Sequence, residues 1–244
     1  MSVSVYIKNS AFQEIRQAKR IESDRSLDGI GRMCISIVDE LYQGIGNHPR
    51  DVPVFFGSAY SSTYSLHQFN VVCEREGALK VNPSIFPNTV LNAPFCRASI
   101  YHNIQSPIFN ICQGRVSAMT ALMLAYDHMI FSGIHQAIVC AAEESCDFVN
   151  KVEGKNLISS CGALYLSDTE GDYQIIGFTH TQDNDNDINE PYGCTNLIYK
   201  VYNELKKGTK FEEQDDKDDI VSITSGNRKL MLCRCRHILE SNNG

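Results

Sequence analysis

The sequence predicts an α/β protein built as a layered α/β/α sandwich, and three observations carry that prediction. Short apolar runs with strand character alternate with longer segments that carry apolar residues at helical spacing. One helical segment, Ser117–Phe131, is apolar on nearly every face, which is typical of a helix buried between layers. The strand candidate Gln136–Ala142 is almost fully apolar, as a sheet covered on both faces requires.

The elements before these two follow from local patterns. Ser2–Ile7 alternates and is β-branched, which favours an edge or outer strand. Leu27–Tyr42 carries apolar residues at the spacing of an amphipathic helix. Val52–Phe56 is a short apolar run before a glycine and predicts a buried strand, and Ser61–Glu76 is compatible with a helix.

The segment that leads into the buried helix contains prolines and asparagines. Two prolines make Lys80–Pro87 a predicted loop. Asn88 is predicted to cap the next helix, which contains Ala93 to Ile100. Pro107–Cys112 is then a short strand, and Gly133 is expected to end the buried helix.

The last third of the chain predicts further strands and one more helix. Gly162–Ser167 and Asp172–Thr179 are predicted to pair as neighbouring strands across a turn at Glu170 and Gly171. The other expected elements are a polar loop, a helix, an acidic loop, a last buried strand and one further strand: Asp183–Asp187, Cys194–Lys207, Glu212–Asp219, Ile220–Ile223 and Lys229–His237.

Composition excludes several classes of function. The 244 residues carry a net charge of −7 with no basic stripe, so nucleic acid is not an expected partner. No apolar run reaches the roughly 18 residues of a membrane span, and the N-terminus lacks the pattern of a signal peptide. Ten scattered cysteines, several inside apolar runs, favour buried free thiols in a reducing cytoplasm over a disulfide framework.

No cofactor or metal is expected. Cys233, Cys235 and His237 lie close together in the sequence. They lack a second pair of ligands at zinc spacing, so ordinary thiols are the favoured interpretation.

Four segments in order carry a resemblance to a known family. Asn82–Asn92, Gln105–Pro107, Gly133–Glu144 and Ser159–Ser167 resemble motifs of the β-ketoacyl synthase N-terminal domain at near-family spacings. The similarity runs from about Val52 to Phe178, or about half of the chain. It implies a thiolase-like fold, mainly the N-terminal half, with a truncated C-terminal half.

The catalytic positions of that family are replaced in this chain. The family nucleophile is a cysteine at the N-terminus of the buried helix, where the helix end lowers the thiol pKa. Counting from either side places that position at Arg115 or Val116. Cys112 lies three or four residues too early, on the incoming strand. By the same resemblance, Thr224 or Ser225 stands where the family has its first catalytic histidine.

The resemblance also predicts the organisation of the chain. Residues 1–180 would form the ketosynthase N-terminal-like domain, and residues 181–244 a remnant of the C-terminal half packed on it. The catalytic lysine and the second histidine of the family have no counterpart in this remnant.

In lacking the nucleophile, the chain resembles the chain length factor, a ketosynthase homologue that has lost its cysteine and pairs with an active ketosynthase. The short chain looks most like truncated ketosynthase-like subunits of bacterial polyene pathways, aryl polyenes included. The resemblance implies a heterodimer with a catalytic ketosynthase and contact with an acyl carrier protein through that complex.

The family register also assigns residues to the acyl tunnel and the dimer interface. Ile85 and Phe86 match the end of the tunnel, and Tyr60 matches a second such position. Large side chains there would close the tunnel, and small ones would lengthen it. The predicted tunnel and interface set is Tyr60, Ile85, Phe86, Asn88, Asn92 and Gln113.

Two other functions remain open from the sequence. The chain could be an acyl hydrolase or transferase that uses Cys112 as its nucleophile, which would need a nearby base and a lowered thiol pKa. It could also be a module that docks an acyl carrier protein without affecting product length.

Overall fold

The structure is a computed structural model that describes residues 3–14, 28–46, 50–180, 190–208 and 220–235. These residues form one eight-stranded sheet with helices on both faces. The predicted α/β class and its α/β/α layering are therefore confirmed.

Strands and helices alternate through most of the described residues. The strands are β1 (Val5–Glu14), β2 (Val54–Gly57), β3 (Ile108–Ile111), β4 (Gln136–Glu143), β5 (Ser160–Ser167), β6 (Tyr173–His180), β7 (Ile220–Ser225) and β8 (Arg228–Arg234). The helices are α1 (Gly29–Ile45), α2 (Thr63–Glu76), α3 (Ala93–Tyr101), α4 (Ser117–Phe131), α5 (Asp147–Glu153) and α6 (Asn196–Gly208). Short 3₁₀ segments cover Ala78–Lys80, Pro83–Thr89 and Gly193–Thr195.

The sheet has the strand order β3-β2-β4-β5-β1-β6-β8-β7. Strand β2 runs parallel to β3 and to β4, and all other neighbours are antiparallel. Helices connect β2, β3 and β4, as parallel neighbours require. Strands β3 and β7 are therefore the two edges of the sheet.

Two hydrophobic cores lie on opposite faces of the sheet. One core packs α1 and α3 against β2, β4 and β5. The other contains α4 and α6 and also receives Ile223, Leu230 and Leu232 from β7 and β8. The bounds of α4 match the predicted Ser117–Phe131. Its fully buried residues lie on one broad side, whereas the other side is half-buried or exposed, so among the described residues the helix packs on one face of the sheet rather than between two layers.

Two strand predictions were wrong. Strand β1 is not an edge or outer strand, because it lies between β5 and β6 and pairs with both. The predicted pairing of Gly162–Ser167 with Asp172–Thr179 is also wrong, since β1 separates β5 from β6. Both errors have one cause: the partners of β1 lie about 160 residues away, and local alternation does not report such pairing.

Three local predictions also need correction. The predicted loop Lys80–Pro87 largely forms 3₁₀ turns, with Pro83 at a first position that tolerates proline. Asn88 is buried within that segment, and Asn92 instead stands at the N-cap of α3. Strand β7 is an edge rather than a buried strand, with Ile220 55% exposed.

Some predicted segments lie outside the described residues. These are the loops Asp183–Asp187 and Glu212–Asp219, together with the end of the predicted strand at His237. The described part of the chain contains no helix that is both long and apolar enough to span a membrane.

Candidate functional site at the start of helix α4

The end of β2 and the start of α4 approach each other very closely. A Cβ atom on Gly57 would lie 2.7 Å from the backbone carbonyl of Ser117, so only glycine fits at this position. The buried Ser117 hydroxyl donates to the carbonyl oxygen of Gly114 (2.6 Å) and accepts from the backbone N–H of Gln113 (2.8 Å). These bonds fix the turn between β3 and α4.

A fully buried carboxyl group supports the loop that follows β2. Glu143, the last residue of β4, accepts from the backbone N–H groups of Ala59 (2.9 Å) and Tyr60 (3.1 Å). Burial raises its pKa to about 7, although hydrogen bonds from Cys194 and from the loop oppose that shift. We call the following buried residues the floor of the site: Gly57, Ser117 and Glu143.

A polar network lies above this floor. The Tyr60 hydroxyl donates to Glu153 Oε1 (2.5 Å), and the Arg115 guanidinium forms an ion pair with Glu153 Oε2. Burial alone would raise the pKa of Glu153, but the hydrogen bonds from Tyr60 and Arg115 outweigh it and the pKa is lowered. The carboxylate therefore remains charged. We call the following residues the rim of the site: Tyr60, Arg115, Val116 and Glu153.

The loop that carries Tyr60 is tied to the predicted tunnel segment. The hydroxyl groups of Ser61 and Ser62 donate to the carbonyl oxygens of Leu91 (2.6 Å) and Val90 (2.8 Å). The structure thus places the loop of Tyr60 against the end of the segment that contains Ile85 and Phe86.

The other members of the predicted tunnel and interface set are scattered around this contact. Ile85 is half-buried, and Phe86 is 58% exposed and packs against Phe69. Asn88 is buried and Asn92 is exposed. Gln113 is exposed and its side chain accepts from the Thr120 hydroxyl (2.8 Å).

The two segments in which the sequence predicts replaced catalytic residues lie close together. Val116 immediately precedes α4 and stands at its N-cap. A Cβ atom on Gly226, in the β7–β8 turn, would lie 2.8 Å from Val116 Cγ1. This turn directly follows Thr224 and Ser225, so the segment predicted to replace the first histidine lies against the start of α4.

Thr224 and Ser225 themselves have structural surroundings. Ser225 is buried and pairs with Arg228 across the hairpin. The carbonyl oxygen of Thr224 accepts from Lys200 Nζ (3.1 Å), and Thr224 also lines an open groove of about 410 Å³ between α6 and β7. Both side chains carry hydroxyl groups, and the predicted match with the family's first histidine stays a prediction.

Cys112 has few of the properties of an activated nucleophile. It follows β3 and is exposed, yet partial desolvation and the nearby Glu143 carboxyl raise its thiol pKa. A raised pKa lowers the fraction of reactive thiolate. His128, on α4, packs against the stacked rings of Phe55 and Phe109.

Sequence reasoning missed Glu153 and Ser117. Glu153 is one of two acidic residues in the short helix α5, and no local pattern distinguishes it. Ser117 could have been noticed, because a serine at the start of an otherwise apolar helix favours hydrogen bonding to the preceding turn. Among the described residues, no group of His, Cys, Asp and Glu side chains is arranged to hold a metal ion.

No protein-family model and no curated protein matches the sequence. Among solved structures, a chain of the ketosynthase (ApeO) in complex with its chain length factor (ApeC) from Xenorhabdus doucetiae is similar, with a TM-score of 0.68 at 11% identity. That match covers 95% of this chain and 99% of the other.

Two further solved structures show the same likeness over a shorter part of their length. The ishigamide ketosynthase/chain length factor matches with a TM-score of 0.59 at 18% identity, over 78% of this chain and 57% of the other. A β-ketoacyl synthase from Burkholderia phymatum STM815 matches with a TM-score of 0.55 at 14% identity, over 72% and 52%. The chain therefore has the thiolase-like fold of ketosynthase and chain length factor structures, as the sequence resemblance predicts.

Proposed function

We propose that this chain is a non-catalytic, chain-length-factor-like subunit that pairs with an active ketosynthase. In that heterodimer it would shape the tunnel in which a polyketide or polyene chain of the aryl polyene type is elongated. The observation that carries the proposal is the start of α4, where Arg115 and Val116, the two residues that family spacing predicts at the nucleophile position, lie next to the buried floor.

The chemistry of the rim supports a role without covalent catalysis. A guanidinium, a carboxylate and a phenol bond to one another there. Neither Arg115 nor Val116 can form an acyl-enzyme intermediate. The nearby thiols of Cys112 and Cys194 both have a raised pKa, mainly because of desolvation.

The free edge at β3 supports a partner. Within the described residues, β3 pairs on one side only, with β2. Helices α3 and α4 pack near it on opposite faces of the sheet and leave Ile100 (76%), Tyr101 (54%) and Phe131 (81%) exposed. An unpaired edge strand flanked by large apolar side chains is a favourable surface for association.

The same proposal covers the organisation of the chain and its other partners. Residues 1–180 would be the ketosynthase N-terminal-like domain and residues 181–244 the remnant, whose α6 and β8 contribute to a shared core. With a net charge of −7, the chain is poorly suited to bind an acidic acyl carrier protein, so the ketosynthase would supply that contact. The ten free cysteines suit a cytoplasmic location.

Two matched substitutions test the proposed interface. Ile100→Lys places a charge beside β3, and Ile220→Lys places the same charge on the exposed part of β7, at the opposite edge. Each variant is co-expressed with the catalytic ketosynthase proposed as its partner, and the co-purified amounts are compared. We expect Ile100→Lys to reduce the complex strongly and Ile220→Lys to leave it intact.

The result that contradicts the proposal is equally definite. If the unaltered chain purifies as a stable monomer and the ketosynthase elongates its substrate fully without it, the proposed pairing is wrong. Equal co-purification of both lysine variants would show that the β3 edge is not the interface.

A further inference from the structure

Glu153 links the predicted tunnel residue Tyr60 to the replaced nucleophile position. It is the last residue of α5, and its side chain is only 7% exposed. One carboxylate oxygen accepts from the Tyr60 hydroxyl, and the other accepts from the Arg115 guanidinium. Both oxygens are therefore committed to residues of the rim.

We infer that Glu153 is a positioning residue that holds the Tyr60 ring in one place, so that Tyr60 acts as a fixed stop for the growing acyl chain. This inference rests on the proposed function, because it assigns a role to Tyr60 within the shared tunnel. Beyond that function, Glu153 is assigned as the residue that fixes the position of the Tyr60 ring.

The ion pair with Arg115 makes Glu153 an effective anchor. Hydrogen bonds to a charged carboxylate are roughly twice as strong as those between neutral groups. The lowered pKa of Glu153 keeps the carboxylate charged at neutral pH, and the raised pKa of Tyr60 keeps its hydroxyl protonated as a donor. Arg115 thus contributes indirectly, by keeping its partner ionised and oriented.

The backbone of Tyr60 is fixed as well. Its N–H donates to the buried Glu143, and the neighbouring Ser61 adopts a positive φ of 44°, which its hydrogen bonds to Ser58 and Leu91 stabilise. A tyrosine held at its backbone and at its hydroxyl has little freedom about its two side-chain torsions. A steric stop requires this rigidity, since a mobile ring would give way to an extra two-carbon unit.

The test uses three variants in the co-purified complex with the ketosynthase. Tyr60→Phe keeps the ring and removes the tether, Glu153→Gln removes the charge, and the third variant combines both. Glu76→Gln, an equal change of charge at the exposed end of α2, is the matched control. The readout is the distribution of product chain lengths, together with the amount of complex recovered.

We expect Tyr60→Phe and Glu153→Gln each to shift products toward longer chains, with the longer fraction rising about tenfold if the tether contributes as other hydrogen bonds to charged groups do. The double variant should shift them no further than Tyr60→Phe alone, because both changes release the same ring. Glu76→Gln should leave the product distribution unchanged.

Three outcomes would overturn the inference while leaving the heterodimer in place. They are unchanged product lengths in Glu153→Gln with normal recovery of the complex, additive shifts in the double variant, and an equal shift in Glu76→Gln. Failure of the unaltered chain to bind the ketosynthase would instead refute the proposed function.

Discussion

The floor and the rim of the site differ in packing and in the chemical groups that they carry. The floor, formed by Gly57, Ser117 and Glu143, is buried, close-packed and hydrogen-bonded. The rim, with Arg115 and Val116 at the predicted position of the family nucleophile, contains neither a cysteine nor a histidine. Under the proposed function this contrast is expected, because a subunit that relies on its partner's chemistry would need the packed scaffold but no nucleophile.

The floor should be the less tolerant region, and Gly57→Ala tests this most strongly. The added Cβ would meet the backbone of Ser117 and Ala118 at 2.7–2.8 Å, and neither β2 nor α4 can move without disturbing the core. We expect a loss of about 3 kcal/mol in the free energy of unfolding, measured by urea denaturation. Gly154→Ala is the control, because nothing lies within 4 Å of its added Cβ and only its positive φ is strained. Equal losses in both variants would show that β2 and α4 are not in close contact.

The buried carboxyl of the floor should make stability depend on pH. The pKa of Glu143 is raised from 4.5 to about 7, so its contribution is fully present below pH 4.5 and is lost as the pH rises through 7. Since one pKa unit corresponds to about 1.4 kcal/mol, the free energy of unfolding should fall by up to about 3 kcal/mol over that window. Glu144, whose pKa is also raised to about 7 by burial, contributes in the same direction.

Glu143→Gln isolates the part that belongs to the floor. Between pH 5 and pH 8, we expect the free energy of unfolding of the variant to fall much less than that of the unaltered chain. The remaining fall would be the part due to Glu144. Urea denaturation at several pH values measures the slope. An unchanged slope would mean that Glu143 is ionised in the folded chain throughout this range.

Substitutions in the rim should reduce the free energy of unfolding far less than substitutions in the floor. Arg115 is 32% exposed, and a partly exposed ion pair contributes little because solvent screens it. Arg115→Met should therefore cost at most about 1 kcal/mol in the free energy of unfolding. A loss as large as that of Gly57→Ala would remove the distinction between the two regions.

The smallest expected effect concerns the reactivity of the Cys112 thiol. The raised pKa of Cys112 predicts that iodoacetamide labels it at neutral pH no faster than it labels free cysteine. Peptide mapping by mass spectrometry after timed labelling separates it from the other exposed or half-exposed thiols. Labelling much faster than free cysteine would favour the alternative of a hydrolase or transferase.

The sequence allowed the bounds of α4 to be predicted well and the sheet order poorly. The bounds of α4 followed from one apolar run and the glycine after it, because both signals are local. The position of β1 depends on pairing with β5, far along the chain, and no local pattern reports such a contact. Ile220 was predicted to be buried because it begins an apolar run, but it is exposed because β7 lies at the edge of the sheet.

The candidate site divides in the same way. Motif spacing predicted a site at Arg115 or Val116 and at Thr224 or Ser225, and the structure brings the turn after Ser225 against Val116. The network around Glu153 depends on where α5 ends in space relative to Tyr60 and Arg115. These three residues come together only in the folded chain, and no local sequence pattern around Glu153 reports their contact.

The central claim is that the partner supplies the nucleophile and this chain does not. It is tested most directly by measuring elongation on acyl carrier protein with complexes in which one cysteine is replaced at a time. We predict that Cys112→Ala in this chain leaves elongation at its original rate, whereas replacement of the ketosynthase's nucleophilic cysteine abolishes it. Loss of elongation in Cys112→Ala, with the complex still formed, would contradict the account.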